Sequence, residues 1–545
     1  MDKAHSPLII LHFPSGDWLE TQLVSISNTV WYTLGFLISV FALHIFSQLL
    51  PRSKSQPPTV FHLVPYIGNA VAYGTNPRAF YERCRAKHGD IFTFVLFGKK
   101  ITMYLGIEGN EFILNGKLKD LNAEEIYGPL TTPVFGSGVV YDCPNSKLME
   151  QKKFIKFGLT QKALESYVPL IEKEVRDYMN SHPTLQGANG IFDISAAMSE
   201  ITLYTAGRTL QGAEVRKKLT AELADLYHDL EQGFQPINFI APWLPLPQNR
   251  RRDKAHAKMC AIYMDVINER RRSGKLENED HDMIGNLMNC VYKDGKTVPD
   301  MEIAKLMITL MMAGQHSSSS SSAWIMLRLA SRPDIVEELY QEQLTKLGNG
   351  NKDLPPLQYA DLDKLTLMQN VIKETLRLHG SIHIIMRKVT QPLVVPGTDY
   401  VIKPDKVLGA SPLMTHCDPS YFPDPLTWDP HRWDAGSQQW GVRTEASSQA
   451  DTADTVDYGY GLTSRGTRSP YLPFGAGRHR CIGEKFAFVN LQTIVATFVR
   501  EMRFAVCEEW EGEVPETDYS SMFSKPEAPS VVEWTRRNNS KKAKA

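Results

Sequence analysis

The first feature in the pattern of apolar and polar positions is a long run without charge: Leu23 to Leu50 contains no Asp, Glu, Lys or Arg. Its densest part, residues 29–50, predicts a helix able to cross a hydrocarbon core of roughly 30 Å. A cleaved signal peptide is the alternative, but the run is long, begins late, and lacks a basic leader or a small-residue cleavage site. Asp17 and Glu20 precede it while Arg52 and Lys54 follow it, an asymmetry that keeps the larger, carboxy-terminal part cytosolic. Residues 1–28 mix apolar and polar positions and suit an interfacial segment. Residues 51–58, PRSKSQPP, predict an extended linker.

Downstream, alternation over Ile91–Leu96 and Lys100–Leu105, either side of Phe97-Gly98-Lys99, predicts a hairpin. Helical periodicity dominates after that. Pro299 suits the first turn of a helix running to Arg332, stopped by Pro333, about 33 residues or roughly 50 Å. The middle of this helix is oddly polar: Ala313-Gly314-Gln315-His316 is followed by serines from Ser317 to Ser322. Gly314 is a weak helix former where the helix can open. A second helix, Lys364 to His379, precedes a strand-like region around Pro396-Gly397. Residues 436–466 are rich in Ser, Thr, Gly and Asp and read as an exposed insertion. This divides the chain into a membrane helix (29–50), a linker (51–58), a catalytic part (59–530) and a basic tail (531–545).

Charge and cysteine content narrow the class. Lys plus Arg number 60 against 61 for Asp plus Glu, so no global field draws the chain to nucleic acid. Its 7 cysteines are sparse, without CxxC or zinc-ligand spacing, which argues against a disulfide framework and for a reducing compartment. Its 545 residues leave open either several average domains or one large core.

The most informative stretch is Phe474-Gly475-Ala476-Gly477-Arg478-His479-Arg480-Cys481-Ile482-Gly483. Gly475 and Gly477 permit a tight loop whose backbone comes close to a flat cofactor. Gly483 and the helical run after it bring N–H groups and a positive helix end toward the Cys481 sulfur, favouring thiolate over thiol. Haem iron held by thiolate gains electron density that promotes O–O cleavage. Phe474 can cover the sulfur, and Arg478, His479 or Arg480 can meet haem propionates. For a lone cysteine, a buried free thiol in a Gly-rich turn is the bland alternative. A dinucleotide fingerprint is excluded, because Arg480 stands where its third glycine would be.

FGAGRHRCIG resembles the haem-binding signature of the cytochrome P-450 superfamily. Glu374-Thr375-Leu376-Arg377 resembles its ExxR motif, the two charges sharing a helix face at i, i+3. Asp429-Pro430-His431-Arg432-Trp433 resembles the segment whose arginine completes that pair. The resemblance implies a mainly α fold with small β-sheets in a single large haem domain, with Glu374, Arg377 and Arg432 as structural support. Tyr127 to Asn145 is similar to the substrate-recognition block of fungal sterol 14α-demethylases, as are the central AGQHS, Glu231 to Phe234 and Asp518 to Met522. The similarity runs from the membrane segment to about Pro526.

This narrower resemblance implies removal of the 14α-methyl group of lanosterol or eburicol, with formate released, in ergosterol biosynthesis. It implies haem b on Cys481, with Phe474 and Gly475 in the loop and Tyr127, Tyr141, Lys152, Arg387 and His479 at the propionates. The implied sterol pocket contains Thr131, Phe135, Val140, Tyr141, Phe234, Ala313, Ile382 and Met522; for any one aromatic, core packing is the alternative. His316 and Ser317, with Glu231, are candidates for proton delivery to dioxygen; the alternative is a serine run that merely satisfies helix carbonyls. No flavin or nucleotide motif is present, so electrons from NADPH need a separate, membrane-bound reductase, which Lys153, Lys156 and Lys485 can meet. The expected location is the endoplasmic reticulum membrane, single-pass. Two positions depart from the family: Ser317 where Thr is usual, and Ile384 where Ser is common. Oxidation of another apolar substrate, or haem or sterol binding without turnover, remains open at this level.

Overall fold

The computed structural model describes residues 16–51, 53–218, 221–273, 282–348, 354–434, 466–507 and 512–537. An unbroken helix runs over Gly16–Leu49, and within it Val30–Leu49 is long and apolar enough to cross a membrane. Its side chains are exposed rather than packed on protein, Trp31 and Phe36 at 68% each. From Gly16 onward there is no break between an interfacial segment and a spanning helix, because no proline interrupts the chain before Pro51. Residues 1–15 lie outside the described residues. At the far end of the helix Gln48 brackets one residue of the catalytic part. Its Nε2 donates to the His62 carbonyl at 2.8 Å and its Oε1 accepts from the His62 N–H at 3.1 Å.

The linker then joins a five-stranded sheet, Thr93 N–H donating to the Pro58 carbonyl at 2.8 Å. In spatial order the strands are Ile91–Leu96, Lys99–Tyr104, Val407–Ala410, Ile385–Val389 and Leu121–Asn122. The hairpin closes in two residues. Leu96 pairs with Lys99, and Phe97 and Gly98 take φ of +48° and +76°, the twist-matched turn favoured between antiparallel strands.

A helical core occupies the rest, crossed by the helix Asp300–Ala330. Its 31 residues span about 46 Å at 1.5 Å each. Pro299 caps this helix instead of entering its first turn, and Asp300 and Glu302 lie where the helix dipole favours carboxylates. The helix continues through Gly314 without the expected opening. Ser317 and Ser319 donate to the carbonyls of Ala313 and His316 one turn back, so their hydroxyls are satisfied without unwinding it.

The helix bearing the ExxR pair is Thr366–Leu378. A three-stranded sheet places Val531–Arg536 between Asn189–Asp193 and Met502–Val506. That strand corrects the expected tail: Val532 and Trp534 alternate into the core at 0% and 2% exposure, so the fold extends past residue 530. Residues 538–545 lie outside the described residues, as does the expected insertion 436–466 apart from Gly466.

Candidate functional site

The cysteine loop is closed by its own backbone. Cys481 N–H donates to the Phe474 carbonyl at 3.0 Å, and Gly477–His479 forms one 3-10 turn before the helix Glu484–Glu501. Gly477 has a φ of +65°, and a Cβ there would lie 2.3 Å from the Leu114 carbonyl oxygen, so the close approach itself requires glycine. The Phe474 ring leans on Phe488, 5.8 Å between centroids. Cys481 is accessible yet set deep enough that burial pushes its thiol above the ordinary value, against the opposing Gly483 N–H and Lys152. The Gly483 N–H acts toward thiolate, as the sequence led one to expect, and so does Lys152; a bound metal would add to that pull.

Of the three basic residues in the loop, two are committed to protein. Arg480 pairs with Glu484 at 2.5 Å, and Arg478 donates to the Gly116 carbonyl at 2.5 Å. His479 is different. Its Nδ1 is buried without a partner among the described residues, and burial, reinforced by Arg387, Lys152 and Arg478, drives its pKa down to about 2. Tyr127, Tyr141 and His479 stand in series, 5.3 Å and 6.0 Å between centroids. Burial also pushes the Tyr141 phenol up to about 12. Tyr127 Oη accepts from the Met386 N–H at 2.9 Å, which places it beside Arg387.

Arg387 is 4% exposed and donates to the Met386 carbonyl at 2.8 Å; no carboxylate pairs with it among the described residues. Lys152 Nζ reaches the carbonyls of Arg478 and Arg480 at 3.1 Å and 3.4 Å, and burial lowers its pKa to about 8. A buried guanidinium without a carboxylate is costly unless a ligand brings the counter-charge. The paired carboxylates of a haem, placed beside an accessible cysteine sulfur, supply that charge. The residues present fit the group.

The central helix presents Ala313, exposed within a largely buried run, and a Cβ on Gly314 would meet nothing within 4 Å. The helix therefore faces open space at its midpoint. Phe135 and Phe234 lie 5.9 Å apart, Phe234 is 6.1 Å from His316, and Phe523 stacks on His316 at 5.2 Å. Phe523 closes this cluster although no motif pointed to it; its one signal was the neighbouring Met522, which is half-buried beside it. Thr131 is buried and donates to the Tyr127 carbonyl at 2.9 Å. Ile382 is 48% exposed, and like Ala313 it is one of the open positions of the expected pocket. His316 Nδ1 lies 3.5 Å from Glu231 Oε1, while its Nε2 is buried without a partner among the described residues. Burial lowers the His316 pKa, with Glu231 opposing and Lys525 reinforcing. Ser317 Oγ donates to the Ala313 carbonyl at 3.1 Å.

Glu374, Arg377 and Arg432 are brought together in full burial, at 0%, 0% and 1% exposure. Arg377 Nη2 lies 2.7 Å and Arg432 Nε 3.2 Å from Glu374 Oε1. Trp433 Nε1 adds a donor at 2.9 Å that sequence spacing did not reveal.

A buried basic cluster beside an accessible cysteine in a Gly-rich loop has the make-up of a haem-thiolate site. A cytochrome P450 family model matches residues 57–534, and the chain belongs to that family. As a member it uses haem on a cysteine thiolate and activates O2 with electrons from a reductase. Among curated relatives, the sterol 14-alpha demethylase of Aspergillus flavus is 63% identical over 93% of this chain and 96% of its own length. That of Gibberella zeae is 60% identical over 93% and 98%, and the eburicol 14-alpha-demethylase of Penicillium italicum 58% over 94% and 98%. Retinoic acid-bound cyanobacterial CYP120A1 shares the fold, with a TM-score of 0.72 at 19% identity, over 89% of this chain and 100% of that one.

Proposed function

We propose that this protein removes the 14α-methyl group of lanosterol or eburicol in ergosterol biosynthesis, through alcohol and aldehyde stages that end in release of formate. The observation that carries the reading is near-full-length identity of 58–63% to proteins named for that reaction. The aromatic cluster around His316 supports it, since a rigid apolar nucleus needs flat apolar walls with few polar groups. The bound group, haem b, supplies activation of O2.

The chain's own residues bind, orient and move protons. Cys481 provides the thiolate, Arg387, Lys152, His479, Tyr127 and Tyr141 hold the propionates, and Phe474 and Gly475 shape the loop around the sulfur. Thr131, Phe135, Val140, Tyr141, Phe234, Ala313, Ile382 and Met522 line the sterol, Tyr141 at the edge it shares with the propionates. Glu231 and His316 bring a proton from the surface toward Ser317, whose hydroxyl must leave the Ala313 carbonyl to pass it on; such steps contribute roughly 10²- to 10⁴-fold.

Electrons originate in NADPH and arrive through a membrane-bound reductase that docks over exposed Lys153 and Lys485, with half-buried Lys156 in the last turn of the helix that carries Lys153. The anchor helix sits in the endoplasmic reticulum membrane with the catalytic part cytosolic. The test is product analysis: the full-length protein, reconstituted with reductase and NADPH, should convert lanosterol or eburicol to the 14-demethylated sterol with one formate per turnover. Consumption of NADPH without a demethylated product from either sterol would overturn the proposal.

A further inference from the structure

Tyr141 stands on a backbone that the sequence does not favour. Gly136 and Gly138 take φ of +93° and +80°, and two residues later Val140 takes +52°. Glycine accepts that region freely, whereas a β-branched residue there is an outlier that persists only if its surroundings fix it. The fixing group is Gln151, 1% exposed, on the helix Asn145–Phe157. Its Oε1 accepts from the Val140 N–H at 3.1 Å and lies 3.8 Å from Cys143 Sγ. Its Nε2 donates to Glu302 Oε1 at 2.9 Å, and lies 3.2 Å from the Gly138 carbonyl and 3.4 Å from Tyr292 Oη.

Glu302 is in the first turn of the central helix and accepts as well from Lys147 Nζ at 2.8 Å and from the Tyr292 hydroxyl. A carboxylate only accepts, so it can face only the NH2 side of the Gln151 amide, and the carbonyl side is left toward Val140. The charge on the central helix thus sets the amide, the amide sets the left-handed turn, and the turn carries Tyr141. Asp142 holds the same turn from its other end, accepting from the Gly138 N–H at 2.8 Å.

We infer that Gln151 is a positioning residue for Tyr141: through its buried contacts with Glu302 and Tyr292 it holds the Val140 turn and so sets the rim of the sterol site. The inference rests on the proposed contact of Tyr141 with that site. Without the acceptor, the half-buried Val140 N–H loses its partner, the turn relaxes, and the phenol ring moves away from Tyr127 and His479. Loss of one such buried hydrogen bond weakens whatever depends on it by about tenfold.

The test is a double-substitution cycle on full-length, haem-loaded protein, reading lanosterol affinity by spectral titration and thiolate ligation by the reduced carbon monoxide spectrum. Gln151→Leu should raise the lanosterol dissociation constant about tenfold with the thiolate spectrum intact, and should add little in a Tyr141→Ala background. Additive losses would show that Gln151 acts elsewhere and overturn the inference. So would weakening by Tyr141→Ala with none by Gln151→Leu, an outcome that leaves the Tyr141 contact standing. If Tyr141→Ala itself has no effect, the contact and the inference fall together.

Should Gln151→Leu fail to load haem, the reciprocal exchange decides. Gln151→Glu sets a second carboxylate against Glu302 and should weaken binding, and adding Glu302→Gln should restore affinity to within about threefold. Absence of that rescue overturns the inference.

Discussion

Replacing Glu374 by Gln changes few atoms and tests whether one carboxylate holds the buried triad together. Oε1 accepts from Arg377 Nη2 at 2.7 Å, Arg432 Nε at 3.2 Å and the Asp429 N–H at 3.1 Å. Oε2 accepts from Arg377 Nε at 2.9 Å and Trp433 Nε1 at 2.9 Å. The best glutamine rotamer keeps its carbonyl at the first position and turns NH2 toward the Arg377 Nε and Trp433 donors. Two bonds to a charged acceptor are lost, each worth about 1.5–3 kcal/mol, and two guanidinia at 0% and 1% exposure lose their counter-charge.

Arg377 keeps the His416 and Pro425 carbonyls at 2.8 Å and 2.5 Å, which holds the total near the usual cost of breaking a buried pair, about 3–5 kcal/mol. That approaches the whole stability of many domains, about 5–15 kcal/mol. Trp433→Phe removes one of the same bonds and no charge, and should cost about 2 kcal/mol. The assay is the urea concentration at which the thiolate-type reduced carbon monoxide band is half lost, together with the yield of haem-loaded protein. Glu374→Gln should give little or no loaded protein and Trp433→Phe a modestly lowered midpoint. Equal midpoints for the two variants would refute the assignment of the carboxylate as counter-charge.

Cys481→Ala should abolish the thiolate-type reduced carbon monoxide spectrum, because no other cysteine occupies this loop; its survival would remove Cys481 as ligand. Deleting residues 1–50 should release haem-loaded protein from the membrane pellet, since every proposed site residue lies downstream; tight membrane partition of a folded product would assign anchoring to other surfaces.

Ser317→Ala and His316→Ala should bind lanosterol normally yet consume more NADPH and form more peroxide per demethylated sterol. Unchanged ratios in both would move proton delivery to other groups.

Acid should destabilise the fold through histidines buried in neutral form. Burial depresses His383 to about 4 and His416 to about 3. The unfolded chain therefore takes up these protons first, and stability is full above about pH 6.5 and falls as pH drops toward the folded values. At pH 5 each histidine costs about 2 kcal/mol, so the urea midpoint should fall between pH 7.5 and pH 5, and an unchanged midpoint would contradict the depressed values.

How much of this was legible in the sequence depended on whether a structural demand was met by residues close together in the chain. The cysteine loop was legible because Gly475, Gly477 and Cys481 answer to a single turn. The ExxR pair was legible because its spacing puts both charges on one helix face. The hairpin came within one residue of its observed strands, since alternation and a two-residue turn are local signals. The strand Val531–Arg536 was missed because its partners, Asn189–Asp193 and Met502–Val506, are set by pairing across the fold, while its flanking lysines and arginines gave the segment the composition of a tail.

The buried polar contacts were the least legible part, and the reason is physical. Lys147 and Gln151 share the helix Asn145–Phe157, whereas Tyr292 and Glu302 come from elsewhere in the chain, and each alone has the composition of a solvated position. Only their convergence makes the amide orientation unique, and only that uniqueness lets a valine stand in a left-handed turn. Lys152 shows the same effect in a single residue. One position from Gln151, it reads as part of a basic surface pair with Lys153, yet burial takes it to about 8 and sets it on the carbonyls of the cysteine loop, while Lys153 stays exposed. Helical periodicity separates such neighbours by about 100°. A run of like charges therefore cannot be assigned as a block, and along the helix Asn145–Phe157 the side chains that turn inward carry the chemistry while their neighbours remain available to a docking partner.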